Sequence, residues 1–366
     1  MPLKWRKQWI SDEDYESAGV ADVDGDGVLD IVSGAFWYQG PDFRRKHALG
    51  TIAKHGEYYD DFSTILMDLT GNGLPDVVGG GWWGKTLRWH ENPGEPGSPW
   101  PEHAIAEVGS IETTRAYDID GDGHLEILPN TPGRAEVAYY TPIRHAGVAT
   151  GEFREVVVHR FAEGKQGHGL GCGDVAGNGR MDIVLGTGWL EAPADPATGE
   201  WVWHPDFVDA PWGWSASVPM LVVDVDGDGV NEIITGNGHG YGLWWSKRHG
   251  EGDAQTWTHH PIDLWCSQYH DLQWLDIDGD GVPELITGKR HRAHCGNDVG
   301  EWDDLGIYYF KWTGEGFAKQ VIDYGPIGQA NGCGIHFAVA DLNGNGRLDV
   351  VAPGKGGLYV YINEGP

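Results

Sequence analysis

A nine-residue acidic segment constrains this chain more than any other feature. It reads Asp-Val-Asp-Gly-Asp-Gly-Val-Leu-Asp at residues 22–30 and returns, with substitutions, from Asp68, Asp118, Asp174, Asp224, Asp276 and Asp341. Carboxylates at positions 1, 3, 5 and 9 point several oxygens at one centre, the donor set of a hard cation such as Ca2+. Glycines at positions 4 and 6 let the backbone turn tightly. One such segment would mean little. Seven copies, spaced by about 50 residues, define a repeat.

The same parts recur in the same order around each copy. An aromatic-led strand comes first, as at residues 5–10, 43–49, 153–159 and 317–323. A small-residue or apolar strand then runs into the acidic loop, a β-branched strand leaves it, and a last aromatic strand completes the unit. Four strands per unit at this period predict an all-β fold: a seven-bladed β-propeller with four antiparallel strands per blade. The first aromatic strand has no preceding blade, and the last repeat stops at Tyr361 one strand short. The N-terminal strand is therefore expected to close the last blade, which removes a free sheet edge. No linker interrupts the pattern, so residues 1–366 read as one propeller domain with seven acidic loops. Insertions at 141–152, 191–200 and 246–256 are expected as surface loops between third and fourth strands. A polar insertion at 291–304 falls between the second and third strands of blade six.

The formal net charge is −30, and the seven loops supply 22 of the 55 acidic residues, so much of that charge is local. A chain this acidic is a poor ligand for nucleic acid or an anionic membrane. No apolar run is long enough to span a bilayer, and no apolar signal segment follows Met1, so a cytoplasmic protein is expected. Cys172, Cys266, Cys295 and Cys333 show no metal-type spacing and read as free thiols. Association with copies of itself stays open.

The pattern resembles the FG-GAP or VCBS repeat family, as the segment Asp224-Val-Asp-Gly-Asp-Gly-Val-Asn-Glu232 illustrates. The resemblance covers nearly the whole chain and speaks to fold rather than function. Four loops carry four carboxylates each and are expected to hold structural Ca2+: Asp22, Asp24, Asp26 and Asp30; Asp118, Asp120, Asp122 and Glu126; Asp224, Asp226, Asp228 and Glu232; Asp276, Asp278, Asp280 and Glu284. Loop seven, with Asp341, Asn343, Asn345 and Asp349, is intermediate. Loops two and four put Thr70 and Ala176 at position 3 and read as hydrogen-bonded turns without metal.

Chemistry is expected on the opposite face. Six residues before the first Asp of each loop stand Glu16, Phe62, Glu112, His168, Val218, His270 and Ile335. Seven residues beyond the ninth position stand, among others, Trp83, His239 and His291. A lone loop histidine is ordinarily just solvated. Here His168, His239, His270, His291, His294 and His336, six of the 17 histidines, are expected on one rim. Such imidazoles suit a divalent transition metal such as Zn2+ or Mn2+, with Mg2+ also considered, and they suit proton transfer near neutral pH. Asp61, Arg115, Lys165, Tyr241 and Lys289, with aromatic faces at Trp82, Trp214 and Trp212, are expected to bind a small carbohydrate. Trp83 and Trp189 read as blade packing.

The segments Lys165-Gln-Gly-His168-Gly, Gly238-His239-Gly240, Gln268-Tyr-His270-Asp271 and Lys289-Arg-His291-Arg-Ala-His294 resemble the propeller domain of the aldos-2-ulose dehydratases and related sugar lyases. That resemblance implies metal-assisted β-elimination on a keto-sugar such as 1,5-anhydrofructose. It also implies cupin-like domains with an isomerase step; this chain ends after the propeller, so elimination alone is expected. His168, His239 and His270 are then ligands or base, with His294 and His336 as further ligands, and Tyr59 or Glu112 is the acid. The alternative is a non-catalytic module that binds glycan or protein; converging imidazoles argue against it. A hydrolase would need a facing acid pair. Asp60 and Asp61 are neighbours on an extended strand and point to opposite faces, so that reading is weak.

Overall fold

The computed structural model describes residues 2–250 and 255–366. Its strands pair into seven four-stranded sheets and one two-stranded hairpin. Six sheets are consecutive meanders, the first built from Gly19–Ala21, Asp30–Ser33, Phe36–Gln39 and Arg45–Ala48. The seventh takes Ala338–Ala340, Asp349–Ala352 and Leu358–Gly365 from the end of the chain and Lys4–Ser11 from its start. Lys4 stands opposite Gly365 and Trp9 opposite Tyr359, so the expected ring closure is present. Among the described residues no helix is long and apolar enough to cross a membrane.

First strands of neighbouring blades touch, as Leu170–Gly173 touches Leu221–Val223, and they line the centre of the ring. The approach is close: a Cβ on Gly171 would overlap the Met220 carbonyl oxygen. The second strands carry the β-branched pairs. Ile31, Val32, Ile183, Val184, Ile233, Ile234, Val350 and Val351 are fully buried, because both faces of a blade pack on adjoining blades. Third and fourth strands add a repeated cross-strand pair, a Trp stacked on a His: Trp37 on His47, Trp89 on His103, Trp189 on His204 and Trp245 on His260, with ring centroids 4.1–4.6 Å apart. These four histidines are thereby accounted for as packing.

Each acidic loop is held by its own carboxylates. The first Asp accepts the N–H of the second glycine: Gly27 to Asp22 at 2.9 Å, Gly179 to Asp174 at 2.8 Å, Gly346 to Asp341 at 2.7 Å. The ninth residue is fully buried and accepts the N–H of the residue after the first Asp, as in Val23 to Asp30, Leu69 to Asp76 and Ile119 to Glu126, each at 2.8 Å. Where the ninth residue is Asp, its other oxygen also takes a backbone donor at the end of the third strand: Gly40, Asn92, Ala192 or Asn363, at 2.7–2.8 Å. Where it is Glu, the side chain is one methylene longer and that second oxygen accepts no hydrogen bond.

Three details depart from expectation. Residues 141–152 are not a loop; they form the far end of a hairpin between Glu136–His145 and Val148–Arg160. Around 246–256 the strands run on to His249 and resume at Thr256, and the tip lies outside the described residues. A small hairpin, Lys54–His55 with Tyr58–Tyr59, stands between blades one and two. The 191–200 and 291–304 insertions fall where expected.

Asp76 tests the bracket in a blade whose loop lacks a full acidic cage. Asp76→Ala strips the buried Leu69 and Asn92 N–H groups of their acceptor and is expected to cost roughly 2–5 kcal/mol, read as a lower guanidinium midpoint. An unchanged midpoint would refute the role given to the ninth carboxylate.

Candidate metal centre

Glu112 and His168 end the connections that lead into the first strands of blades three and four, and His270 lies in Tyr269–Leu275, the first strand of blade six. His239 sits in the turn between Glu232–Gly236 and Tyr241–His249 of blade five. All four are buried, and their ligand atoms lie within 4.8 Å of one another. Glu112 Oε1 is 3.0 Å from His270 Nε2, 3.3 Å from His168 Nε2 and 4.0 Å from His239 Nε2. The imidazole planes are steeply inclined to one another, at 74–87°, so ring edges face a common point instead of stacking.

Hydrogen bonds assign two of the tautomers. His168 Nδ1 lies 2.6 Å from the Ala216 carbonyl oxygen and His239 Nδ1 lies 2.9 Å from Asp298 Oδ2, so both Nδ1 atoms carry the hydrogen. Their Nε2 atoms, 3.2 Å apart, then present lone pairs to each other. That arrangement repels unless a positive species is shared between them. Burial holds His270 well below the usual imidazole range and pushes His239 down to about 4, against the opposing bond to Asp298. Burial alone would raise Glu112, but His168 and His270 hold it well below the usual carboxylate range. Neutral imidazoles and an ionised carboxylate are the ligating forms. Three imidazole nitrogens and one carboxylate oxygen, two of the imidazoles oriented by a carbonyl and a carboxylate, fit a divalent transition metal.

Asp298, His294 and Arg290 surround this set. Asp298 also accepts from His294 Nδ1 at 2.8 Å, and the His294 ring stacks on His239 with centroids 3.9 Å apart. Arg290 Nη1 stands 3.5 Å from Glu112 Oε1, while its Nε bonds Glu16 Oε1 at 2.9 Å and Lys355 Nζ lies 3.1 Å from Glu16 Oε2. Above the set opens a pocket of about 530 Å³ walled by Tyr58, Phe62, Trp82, Trp83, Trp214 and His294. Trp214, 67% exposed, stacks on His239 with planes 5° apart. A larger groove of about 860 Å³ along the closing strand gathers no comparable ligand set.

Glu112, His168, His239, His270, His294 and Trp214 thus meet at one pocket; other expected members do not. His336 is half-buried inside the ring, its Nδ1 accepting from Thr64 N–H at 3.1 Å. It is one residue past the aligned position, and a one-residue step along extended chain turns a side chain to the other face. The same step separates Tyr59, which packs on Tyr15 and under Lys54, from Tyr58, which lines the pocket and donates to the Ala293 carbonyl oxygen at 2.8 Å. Glu112 faces the three imidazoles with Oε1, the position of a ligand.

Arg115 is spent inside the ring on Asp271, at 2.8 Å, and on the Val218 carbonyl oxygen. Asp61 is buried and accepts from Ser17 Oγ at 2.8 Å; burial raises it to about 6. Lys289 is fully buried and donates to Ser267, Gln268 and the Gly300 carbonyl oxygen, which steadies the insertion that delivers Asp298. Tyr241 bonds Asp303, outside the pocket, and Lys165 is exposed and absent from the lining. His291 is buried and likewise absent from the lining. Trp212 is core, donating to the Gly186 carbonyl oxygen at 2.9 Å, and Trp189 is packing as expected, but Trp83 faces the pocket.

Asp298, Arg290 and Phe62 join the site without being among the residues expected there. Asp298 had a readable signal, a carboxylate four residues after His294 in a long polar insertion. Phe62 and Glu16 stood in the aligned column that holds Glu112, His168 and His270.

The FG-GAP-like repeat family matches residues 68–128 and 224–287. No curated protein matches the sequence. Among solved structures, a Thermus thermophilus protein named as an oxidoreductase (glucose dehydrogenase) shares 13% identity at a TM-score of 0.38, covering 81% of this chain and 97% of that one. The V. cholerae biofilm matrix protein Bap1 shares 11% identity at a TM-score of 0.39, covering 96% of this chain and 77% of its own. Neither likeness carries an argument about function. With the repeat match and the strand pairing together, the chain carries FG-GAP-like repeats within a seven-bladed β-propeller.

Proposed function

We propose that Glu112, His168, His239 and His270 hold a divalent transition metal, and that the pocket above them eliminates water from a small keto-sugar. The observation that carries the metal is the convergence of four ligand atoms within 4.8 Å, two of the imidazoles oriented from behind by Ala216 and Asp298. The sugar and the elimination come from the resemblance of the segments around these histidines to sugar lyases. The aromatic walls suit them, since Trp82, Trp83 and Trp214 offer flat faces to the C–H side of a sugar ring.

When bound, the ion supplies Lewis-acid polarisation of the substrate carbonyl. The chain's own groups do the rest. His294 lines the pocket and its Nδ1 is tied to Asp298, which leaves Nε2 to take the proton α to the carbonyl. The C–H electron pair becomes the new double bond as the β C–O bond breaks. The same imidazole returns its proton to the departing hydroxyl, which leaves as water, so one base serves both steps. Arg290 Nη1, beside Glu112 at the pocket floor, is placed to donate to an oxygen that gains negative charge. Tyr58, held protonated by burial, shapes the wall beside it.

Elemental analysis is expected to find one transition-metal ion per chain, lost in His168→Ala and His270→Ala along with the absorbance of an unsaturated keto-sugar product. Full activity and metal content in both variants would sink the reading. His294→Ala is expected to keep the metal yet lose roughly 10²–10⁴-fold in rate. Asp298→Asn is expected to weaken the metal by roughly 10–100-fold in competition with a chromophoric chelator, because it removes the acceptor that orients His239.

A further inference from the structure

Four acidic loops carry the full set of four carboxylates, yet they fall into two pairs. The residue that separates them lies on the third strand, directly across from the ninth position of the loop. In blade one that residue is Gln39, one step beyond the Ile31–Tyr38 pair, and its Nε2 donates to Asp24 at 2.7 Å. In blade three it is Thr141, one step beyond the Ile127–Tyr140 pair. In blades five and six the same register holds Lys247 and Lys311.

Both lysines reach into their cages in the same way. Lys247 Nζ is 2.8 Å from Asp228 Oδ2 and 3.2 Å from Glu232 Oε1, and it bonds Asp226 as well. Lys311 Nζ is 2.8 Å from Asp280 Oδ2 and 3.2 Å from Glu284 Oε1, and it bonds Asp278 as well. Each ammonium donates to two Asp carboxylates and lies in ion-pair reach of the buried Glu. In blade three nothing takes this place: among the described residues Glu126 Oε1, fully buried, pairs with no cation, and Asp118 Oδ1 and Thr141 Oγ1 have no partner. Those three oxygens are what a hard cation takes as ligands.

We infer that in blades five and six a tethered lysine ammonium replaces calcium as the counter-ion of the loop, so that these two loops are not calcium sites. An ammonium offers no ligand atom and adds a positive charge where the ion would sit. Calcium would have to break three ion pairs and expel a cation anchored beside the cage, which keeps its local concentration high at any calcium level. The oxygens are otherwise arranged alike: Asp24 Oδ1, Asp226 Oδ1 and Asp278 Oδ1 each lack a donor in the same way. Removing the lysine should therefore restore a site. Glutamine is the substitution to use, because blade one already carries it at this register.

Chelator-treated protein is reloaded with CaCl2 alone and its calcium counted per chain by native mass spectrometry. Lys247→Gln and Lys311→Gln are each expected to bind one ion more than the unaltered chain, and the double variant two more. Equal calcium in the unaltered and doubly substituted chains overturns the inference. A second arm leaves the lysines in place: Asp226→Asn is expected to leave calcium content unchanged, whereas Asp120→Asn lowers it by one. Loss of an ion in Asp226→Asn overturns the inference equally. The count concerns calcium and the opposite face of the ring, so neither outcome bears on the transition-metal site.

Discussion

A buried carboxylate at the ninth position of each loop holds the blades in register. It sits with no solvent exposure, at the start of the second strand, and accepts a backbone N–H from the far side of the loop. A hydrogen bond to a charged group contributes about 1.5–3 kcal/mol, and losing it strands a buried donor. One side chain thus ties the first strand to the second and, where it is Asp, to the end of the third. The bond needs no metal, which is why loops two and four can lose two of their four carboxylates and still turn. It also frees position 3 to vary, as Thr70 and Ala176 show, while the third-strand residue facing the loop sets the rest: Thr141 in blade three, a lysine in blades five and six.

Because the loops secure one face, the other is free to carry chemistry. Pseudo-symmetry then does what no local segment could. A residue six places before the first Asp occupies the same structural position in every blade, at the entrance to the innermost strand. Glu112, His168 and His270 are three occupants of that column, brought from sequence separations of 56 and 102 residues to within hydrogen-bonding reach of a shared oxygen. His239 enters from the other loop set. The 291–304 insertion folds back to place Asp298 behind His239, and Lys289 pins that insertion through the Gly300 carbonyl oxygen. Inside the ring, Arg115 and Asp271 form a buried pair that joins blades three, five and six. Such pairs contribute less to net stability than to fixing one arrangement, since breaking either partner strands a buried charge.

The expected site residues that lie elsewhere share a cause. Tyr59 stands one residue from Tyr58, which lines the pocket, and His336 one residue past the aligned column, and on extended chain one residue changes the face. Arg115, Lys289 and Asp61 read as substrate ligands because charged side chains near a channel mouth suggest one. Each is engaged inside the fold by at least one partner more than 20 residues away, which composition cannot reveal. The opposite error, reading Trp83 as packing, has the same root: Trp189 occupies the equivalent position and is buried, so blade equivalence gave the wrong answer where the added hairpin at Tyr58–Tyr59 opened a pocket.

What could be read from the chain alone was everything periodic: the number of blades, the strand order, the ring closure and the column from which three of four converging ligands come. Periodicity is written in local spacing, and hydrophobic alternation and turn chemistry are local properties. What required the folded molecule was everything that breaks the period. Which lysine enters a cage, which histidine faces a common point and which carboxylate orients it are questions of distance between residues remote in sequence. Those distances follow from how seven twisted sheets pack around an axis.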